Sequence, residues 1–392
     1  MNKISLYLGI LGWLWRSLVM KRLIRLIAMT AFTLPISAGG SAYADFKILG
    51  FSDVTYESAS NKVTTAGVAA PSETKDGFRL GSFDLVFTGS FNEKSSFLAE
   101  ANIEFSPETN EPGYDLERVY YKYTVDDAFS VSVGRTHTAL GYWNDAYHHG
   151  TWFQNSIARP QVYVYEDGGG VLPLHSVGVE FRGKLGFFNY IANVGNGRGF
   201  SQDPPTNNHA DKNSKQTNLF VYFEPPQVKG LRFGGGILSD KLPASTRYAD
   251  DGTTIDHLVP KGDETITNAH VVYLTDAMEF IVEHHDVSHK FAEQNLTIKQ
   301  SYNYVQASHQ VAELYTPYLR YEMLNNDPKN TDPYLKGVTG GDKRTIAIVG
   351  LRYDLNDATA LKLEVAQDQT KNDDAKTKVD NNAVRTNISW HF

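Results

Sequence analysis

The chain has 392 residues, a formal net charge of −8 and no cysteine. This excludes a disulfide framework, a thiolate metal site and a cysteine nucleophile, and it removes the basic footprint expected of a nucleic-acid-binding protein. A mean hydropathy of −0.37 is too polar for a bundle of membrane helices, and the length suits one large domain or two ordinary ones.

The first 44 residues contain no acid. From Met20 the chain reads a basic stretch (Lys21, Arg22, Arg25), an apolar run and Ala42-Tyr43-Ala44, followed by Asp45. That order is the pattern of a secretory signal peptide, with Met20 as an alternative true start. The apolar run is too short for a spanning anchor. Losing residues 1–44 removes five basic side chains and takes the formal charge from −8 to −13.

From Asp45 onward one pattern repeats. Phe83, Leu85 and Phe87 alternate with Asp84, Val86 and Thr88. Phe97, Ala99, Ala101, Ile103 and Phe105 alternate with Leu98, Glu100, Asn102 and Glu104. Val119, Tyr121, Tyr123 and Val125 alternate with Arg118, Tyr120, Lys122 and Thr124. Period-2 alternation with one apolar and one charged face predicts strands. Sixteen are expected, centred near 51, 84, 101, 121, 131, 179, 190, 220, 234, 270, 281, 306, 320, 349, 363 and 388.

Their connectors alternate short and long. Asn92-Glu93-Lys94, Asp126-Asp127, Thr275-Asp276-Ala277 and Asn356-Asp357 are short. The long ones are 57–77, 106–115, 137–174, 196–216, 239–263, 286–301, 325–344 and 369–382. A soluble sandwich would have to bury either the apolar or the charged face, and Glu100, Glu104, Arg118, Lys122, Glu180, Arg182, Arg320, Glu322, Lys362 and Glu364 all fall on the second. A closed barrel in lipid with a wet interior accommodates both faces. The expected fold is therefore all-β, a transmembrane antiparallel up-and-down barrel of about 16 strands over 45–392. Tyr56, Phe91, Tyr273, Tyr315, Tyr353 and Phe392 are expected in its aromatic girdles.

The chain closes on Val384, Ile388, Trp390 and Phe392 on one face, with Phe last. That terminus resembles the outer-membrane assembly signal of Gram-negative bacteria. With the signal peptide and the strand pattern, 45–392 resembles a sixteen-stranded general porin over its whole length, by architecture rather than by a subfamily motif. The resemblance implies an outer-membrane location, contact with membrane lipid and lipopolysaccharide, recognition of the Phe392 strand by the barrel-assembly machinery, and a homotrimer. It also implies that the third long loop folds into the lumen. That loop, 137–174, is the longest connector and is rich in aromatics, including Tyr142, Trp143, Tyr147, Trp152, Phe153, Tyr163 and Tyr165.

Pore selectivity arises from size and charge at the constriction. The loop candidates are the acids Asp145, Glu166 and Asp167, the base Arg159, and the aromatics Tyr142, Trp143 and Trp152. Arg79, Arg118 and Lys122 are the wall candidates, and acids facing them would set up a transverse field. The loop has no lysine, against a phosphate-selective constriction. Its rings either stack on sugars or pack the loop onto the wall, and packing is the favoured reading.

No cofactor is expected. His284-His285 cannot share a metal without a bulge, because adjacent strand residues point to opposite faces. No zinc-protease motif, nucleophile elbow or phosphate loop is present. Gly168–Gly170 and Gly234–Gly236 read as a hinge and a close strand crossing. The expected function is passive diffusion of small hydrophilic solutes or ions. The alternatives are a sugar-selective channel, a non-conducting adhesin or sheath, and an outer-membrane hydrolase.

Overall fold

The computed structural model describes residues 46–392 apart from Pro71, 107–108, 148–149, 165–170, 199–214, 249–254, 328–331, 333–334, 336–341 and Asp374. The signal-peptide expectation lies outside the described residues.

The strands are β1 (Lys47–Thr65), β2 (Val68–Ala69), β3 (Glu73–Ser90), β4 (Ser95–Phe105), β5 (Pro112–Asp126), β6 (Phe129–His137), β7 (His175–Leu185), β8 (Phe188–Gly195), β9 (Gln216–Phe223) and β10 (Leu231–Leu242). They continue as β11 (Ser245–Tyr248), β12 (Ile255–Val259), β13 (Gly262–Leu274), β14 (Met278–Phe291), β15 (Leu296–His309), β16 (Tyr315–Asn325), β17 (Lys343–Asn356), β18 (Thr359–Asn372) and β19 (Thr377–His391). β11 and β12 pair only with each other, and β2 is a two-residue extension. The remaining sixteen form one antiparallel sheet, each strand paired with its sequence neighbours. β1 pairs with β19 over Phe51–Thr65, which closes the barrel and leaves no edge. All sixteen expected strand centres fall inside these strands.

The apolar face points outward. On β5, Val119, Tyr121, Tyr123 and Val125 are exposed, and on β16 so are Leu319, Tyr321 and Met323. Their alternates Arg320 and Glu322 are buried. In lipid the exposed set is solvated by hydrocarbon, and every backbone polar group is used by a neighbouring strand. An aromatic girdle marks the short-turn end: Phe91 meets Phe97 and Tyr121, Phe187 meets Phe223, and Tyr315 stacks on Tyr353 at 4.9 Å. Tyr56 and Phe78, 5.0 Å apart, stand toward the long-loop end of β1 and β3.

Two expectations need correction. Several long connectors are largely strand: β1 runs to Thr65 and β3 starts at Glu73, leaving a short turn within 57–77. The same holds for 286–301 and 369–382. These strand ends project past the apolar band, where both faces meet water, so hydrophobic alternation fades while pairing continues. The interior is also not uniformly wet. Leu238, Ile266, Ile281, Val287, Phe291 and Tyr302 point inward and form one buried cluster with Leu140, Trp143, Tyr163, Leu172 and Leu174.

Bulges adjust the inner face. Between β4 and β5 the register steps from Glu100/Arg118 to Ala101/Leu116, so Glu117 is the extra residue. Consecutive Glu117 and Arg118 then both turn inward, where Glu117 meets His175 at 2.6 Å and Arg118 meets Glu100 at 2.5 Å. Gly134 opposite has φ +144, and a Cβ there would strike the Val119 carbonyl oxygen and Tyr120 Cα.

Candidate functional site: the inward loop and the cavity beside it

The segment 138–174 joins β6 to β7. It holds a five-residue helix, Tyr142–Ala146, and a single 3-10 turn, Gln161–Tyr163. Gly141 turns the chain into the helix with φ +89. The polar contacts of the segment run to inward side chains of strands remote in sequence. Glu283 of β14 accepts the Trp143 backbone N–H at 2.8 Å and the Tyr163 hydroxyl, and Glu279 accepts the Tyr147 hydroxyl. On β16, Glu322 accepts the Gln161 N–H at 2.7 Å, and Arg320 donates to the Ala158 and Arg159 carbonyls at 2.8 and 3.1 Å. On β18, Glu364 accepts the Ile157 N–H at 3.0 Å, and Lys362 donates to the carbonyls of Thr151, Gln154 and Ser156. Arg352 of β17 donates to the Trp152 and Gln154 carbonyls.

These contacts tie the segment to the inner wall along β14–β18. A coil buried without such partners would leave its own N–H and C=O groups unsatisfied, at roughly 1–3 kcal/mol each. Here charged wall groups satisfy them, and hydrogen bonds to charged groups are the stronger kind. Packing adds to this: Leu140, Trp143, Tyr163, Leu172 and Leu174 are essentially inaccessible. Burying a side chain of this size contributes about 1.5–3 kcal/mol.

The candidate residues divide between the clamp and the cavity it leaves. Asp145 bonds Arg182 of β7 at 2.9 Å and Arg232 of β10 at 3.3 Å. It therefore does not face Arg79, Arg118 or Lys122 across water, as a transverse field would require. Burial pushes its carboxyl up, but the two guanidiniums outweigh that and hold it below the usual carboxylate range. Arg232 also lies over the Tyr222 ring at 3.6 Å and the Tyr142 ring at 5.0 Å. Gly234 and Gly236 open this crossing, since Cβ atoms there would meet Tyr222 and Phe220.

The loop aromatics are mostly occupied by protein. Tyr142 and Trp143 are buried, and burial raises the Tyr142 hydroxyl to about 12. Trp143 packs edge-on against Tyr304, and Trp152 lies against the Arg352 guanidinium at 4.4 Å and the His391 ring at 4.9 Å. Among the described loop rings, Phe153 is the one that stays well exposed, at 56%. Glu166 and Asp167 lie outside the described residues, as do Tyr165, His148, His149 and Gly168–Gly170. His285 points inward and is fully buried, while His284 is on the opposite face with Asn303 and Asp286, as strand alternation requires.

Beside the clamp lies a cavity of about 1040 Å³. Its lining includes the expected Arg79 and Arg159, and also Glu57, Arg320, Glu322, Arg344, Asp368 and Arg385. Lys122 is inward on β5 but does not line it. A second cavity of about 320 Å³, toward the long-loop end, shares Glu57, Ala366, Asp368 and Arg385 with the first. Sequence reading missed Glu57, Arg344, Asp368 and Arg385. Glu57 and Arg344 sit at the ends of stretches read as connectors, where an inward charge looks like an ordinary loop charge.

No protein-family model matches this chain, and no curated protein matches it. Solved structures do match in fold. An anion-selective porin from Comamonas acidovorans superposes with a TM-score of 0.61, at 13% identity, over 89% of this chain and 100% of that one. The outer-membrane channel DcaP of Acinetobacter baumannii gives 0.57 at 13% identity, over 91% and 99%. A loop-deletion form of OmpT, an outer-membrane protein of Vibrio cholerae, gives 0.57 at 14% identity, over 88% and 99%. The chain thus has the porin-like fold of Gram-negative outer-membrane barrels.

Proposed function

We propose that this chain is an outer-membrane channel through which small hydrophilic solutes or ions diffuse down their own gradients. The carrying observation is the polar, charge-lined cavity of about 1040 Å³ left between the clamped loop and the wall of a closed barrel. An apolar exterior places the barrel in lipid, and a charged interior keeps water in the path. Residues 1–44 act as the export signal and are removed. The Phe392 strand addresses the assembly machinery, and lipid and lipopolysaccharide surround the folded barrel. The reading requires no cofactor, no covalent chemistry and no enzymatic activity.

A trimer fits this reading. A structure of the Vibrio cholerae OmpT, similar in fold, is described as a trimer form. The loop and wall candidates act in it as the residues that set the width and charge of the path: Arg159 and Arg79 in the cavity lining, Asp145 as an anchor, and Arg118 and Lys122 on the wall below. The buried state of Tyr142 and Trp143 supports loop packing over sugar stacking.

The test is conductance of the purified, heat-modifiable barrel in a planar bilayer, with the reversal potential measured under a salt gradient. Stepwise openings are expected. Silence from a correctly folded barrel would overturn the channel reading and favour an adhesin, sheath or hydrolase.

A further inference from the structure

The two cavities share Glu57, Ala366, Asp368 and Arg385, so these side chains stand where one chamber adjoins the other. The three charged ones belong to two ion-pair groups. Glu57 Oε2 accepts from Arg79 at 3.1 Å and also from Arg385. Arg385 Nη1 donates to Glu364 Oε1 at 2.8 Å. Arg344 clamps Asp368 through two bonds, of 2.9 and 2.7 Å. Three guanidiniums thus meet three carboxylates, and the formal charge of this waist is zero. Except for Glu364 the partners keep solvent contact, with side-chain exposures from 16% for Asp368 to 33% for Arg79. Ala366, the small residue among them, lines both cavities.

We infer that this waist is a subsite for small zwitterionic solutes, with a cationic nitrogen and a carboxylate on one net-neutral skeleton. The inference rests on the diffusion-channel reading. The argument is partner exchange. A lone anion that binds Arg344 takes donors from Asp368 and gives it nothing back. A lone cation on Asp368 leaves Arg344 short in the same way. A zwitterion places its carboxylate on the guanidinium and its ammonium on the carboxylate, so every charge keeps an opposite neighbour. A neutral polyol brings no charge of its own, so it can hydrogen-bond Arg344 or Asp368 but gives neither an opposite charge. In a partly desolvated waist, an uncompensated charge is the costly state.

The experiment measures block of single-channel current by glycylglycine, by the cation glycinamide and by the anion N-acetylglycine, each titrated on the full barrel. Glycylglycine is expected to halve the current at a concentration about tenfold below that needed for either singly charged probe. Arg344→Leu should move the preference to glycinamide, and Asp368→Asn should move it to N-acetylglycine. Heat modifiability of each variant reports folding, and the wild-type comparison of the three probes stands without any variant. If all three probes block equally, or none blocks an otherwise conducting pore, the subsite is overturned while the channel reading survives. Absence of conductance from the folded barrel overturns both.

Discussion

Glu283 on β14 accepts the backbone N–H of Trp143 at 2.8 Å, although the two residues lie 140 positions apart. The same carboxylate takes the Tyr304 hydroxyl at 2.9 Å and the Tyr163 hydroxyl. One wall side chain thereby collects two donors from the inward loop and one from β15. Replacing it by alanine strands two buried donors, the Trp143 N–H and the Tyr304 hydroxyl, each at about 1–3 kcal/mol, while the Tyr163 hydroxyl keeps the Leu140 carbonyl at 3.0 Å. Glu283→Ala should therefore loosen the loop before it unfolds the barrel, because sheet pairing is untouched. Protease cutting within 138–174 and single-channel noise should both rise while heat modifiability persists. An uncut loop with an unchanged current trace would refute the clamp.

Arg320 offers a stricter test of geometry. Its Nη1 reaches the Ala158 carbonyl at 2.8 Å and the Ser156 hydroxyl at 3.1 Å, its Nη2 reaches the Arg159 carbonyl at 3.1 Å, and its Nε holds Glu322 at 2.8 Å. A lysine keeps the charge but presents one compact ammonium and cannot span these acceptors. Arg320→Lys should thus behave nearly like Arg320→Ala in loop protection. Full retention of protection by the lysine variant would show that charge alone suffices.

The fold was largely legible because alternation in a lipid-facing strand is enforced on both faces at once. Leu319, Tyr321 and Met323 must be apolar outside, and Arg320 and Glu322 can be charged inside. Strand ends beyond the apolar band lose that contrast, which is why Glu57 and Arg344 read as connector residues. The clamp was illegible for a different reason. Glu283 and Trp143 meet through tertiary closure of the barrel, and nothing in their local sequence marks the pairing. The inward apolar cluster was equally hidden, since Ile281 alternates with outward Phe280 and Val282, which are as apolar as it is.

Gly134 is held at φ +144 with backbone of the neighbouring strand where a side chain would stand. Gly134→Ala should cost about 1–3 kcal/mol, the scale of a residue forced into a sparsely populated backbone region. The heat-modifiability transition should fall accordingly. A variant folding with the wild-type transition would mean that β5 and β6 relax freely there.

Phe392 extends the seam between β1 and β19 by one more bonded pair. Gly50 N–H donates to the Phe392 carbonyl at 2.8 Å, and the Phe392 N–H returns the bond to the Gly50 carbonyl at 2.8 Å. Its ring lies where a Gly50 side chain would stand and 5.9 Å from the Phe83 ring. Deleting Phe392 removes both bonds and this packing at the seam. Yield of folded barrel in membranes should drop several-fold, while refolding in detergent should suffer less if the residue acts chiefly as an address. Equal losses in both settings would assign it a purely structural role.

Asp145 makes the pH dependence of the loop anchor calculable in sign. Its folded carboxyl lies below the ordinary value of 3.8 because Arg182 and Arg232 outweigh its burial. A depressed folded pKa contributes stability that is fully present above the unfolded value and is lost as pH falls through the folded one. The anchor should therefore be constant from neutrality down to about pH 5 and weaken only below the usual carboxylate range. In Asp145→Asn, loop protection should be lower at neutral pH and should no longer fall between pH 5 and pH 3 for this group's sake. Protease protection of 138–174 across that range checks it. A variant with the wild-type pH profile would show that other groups govern the acid response.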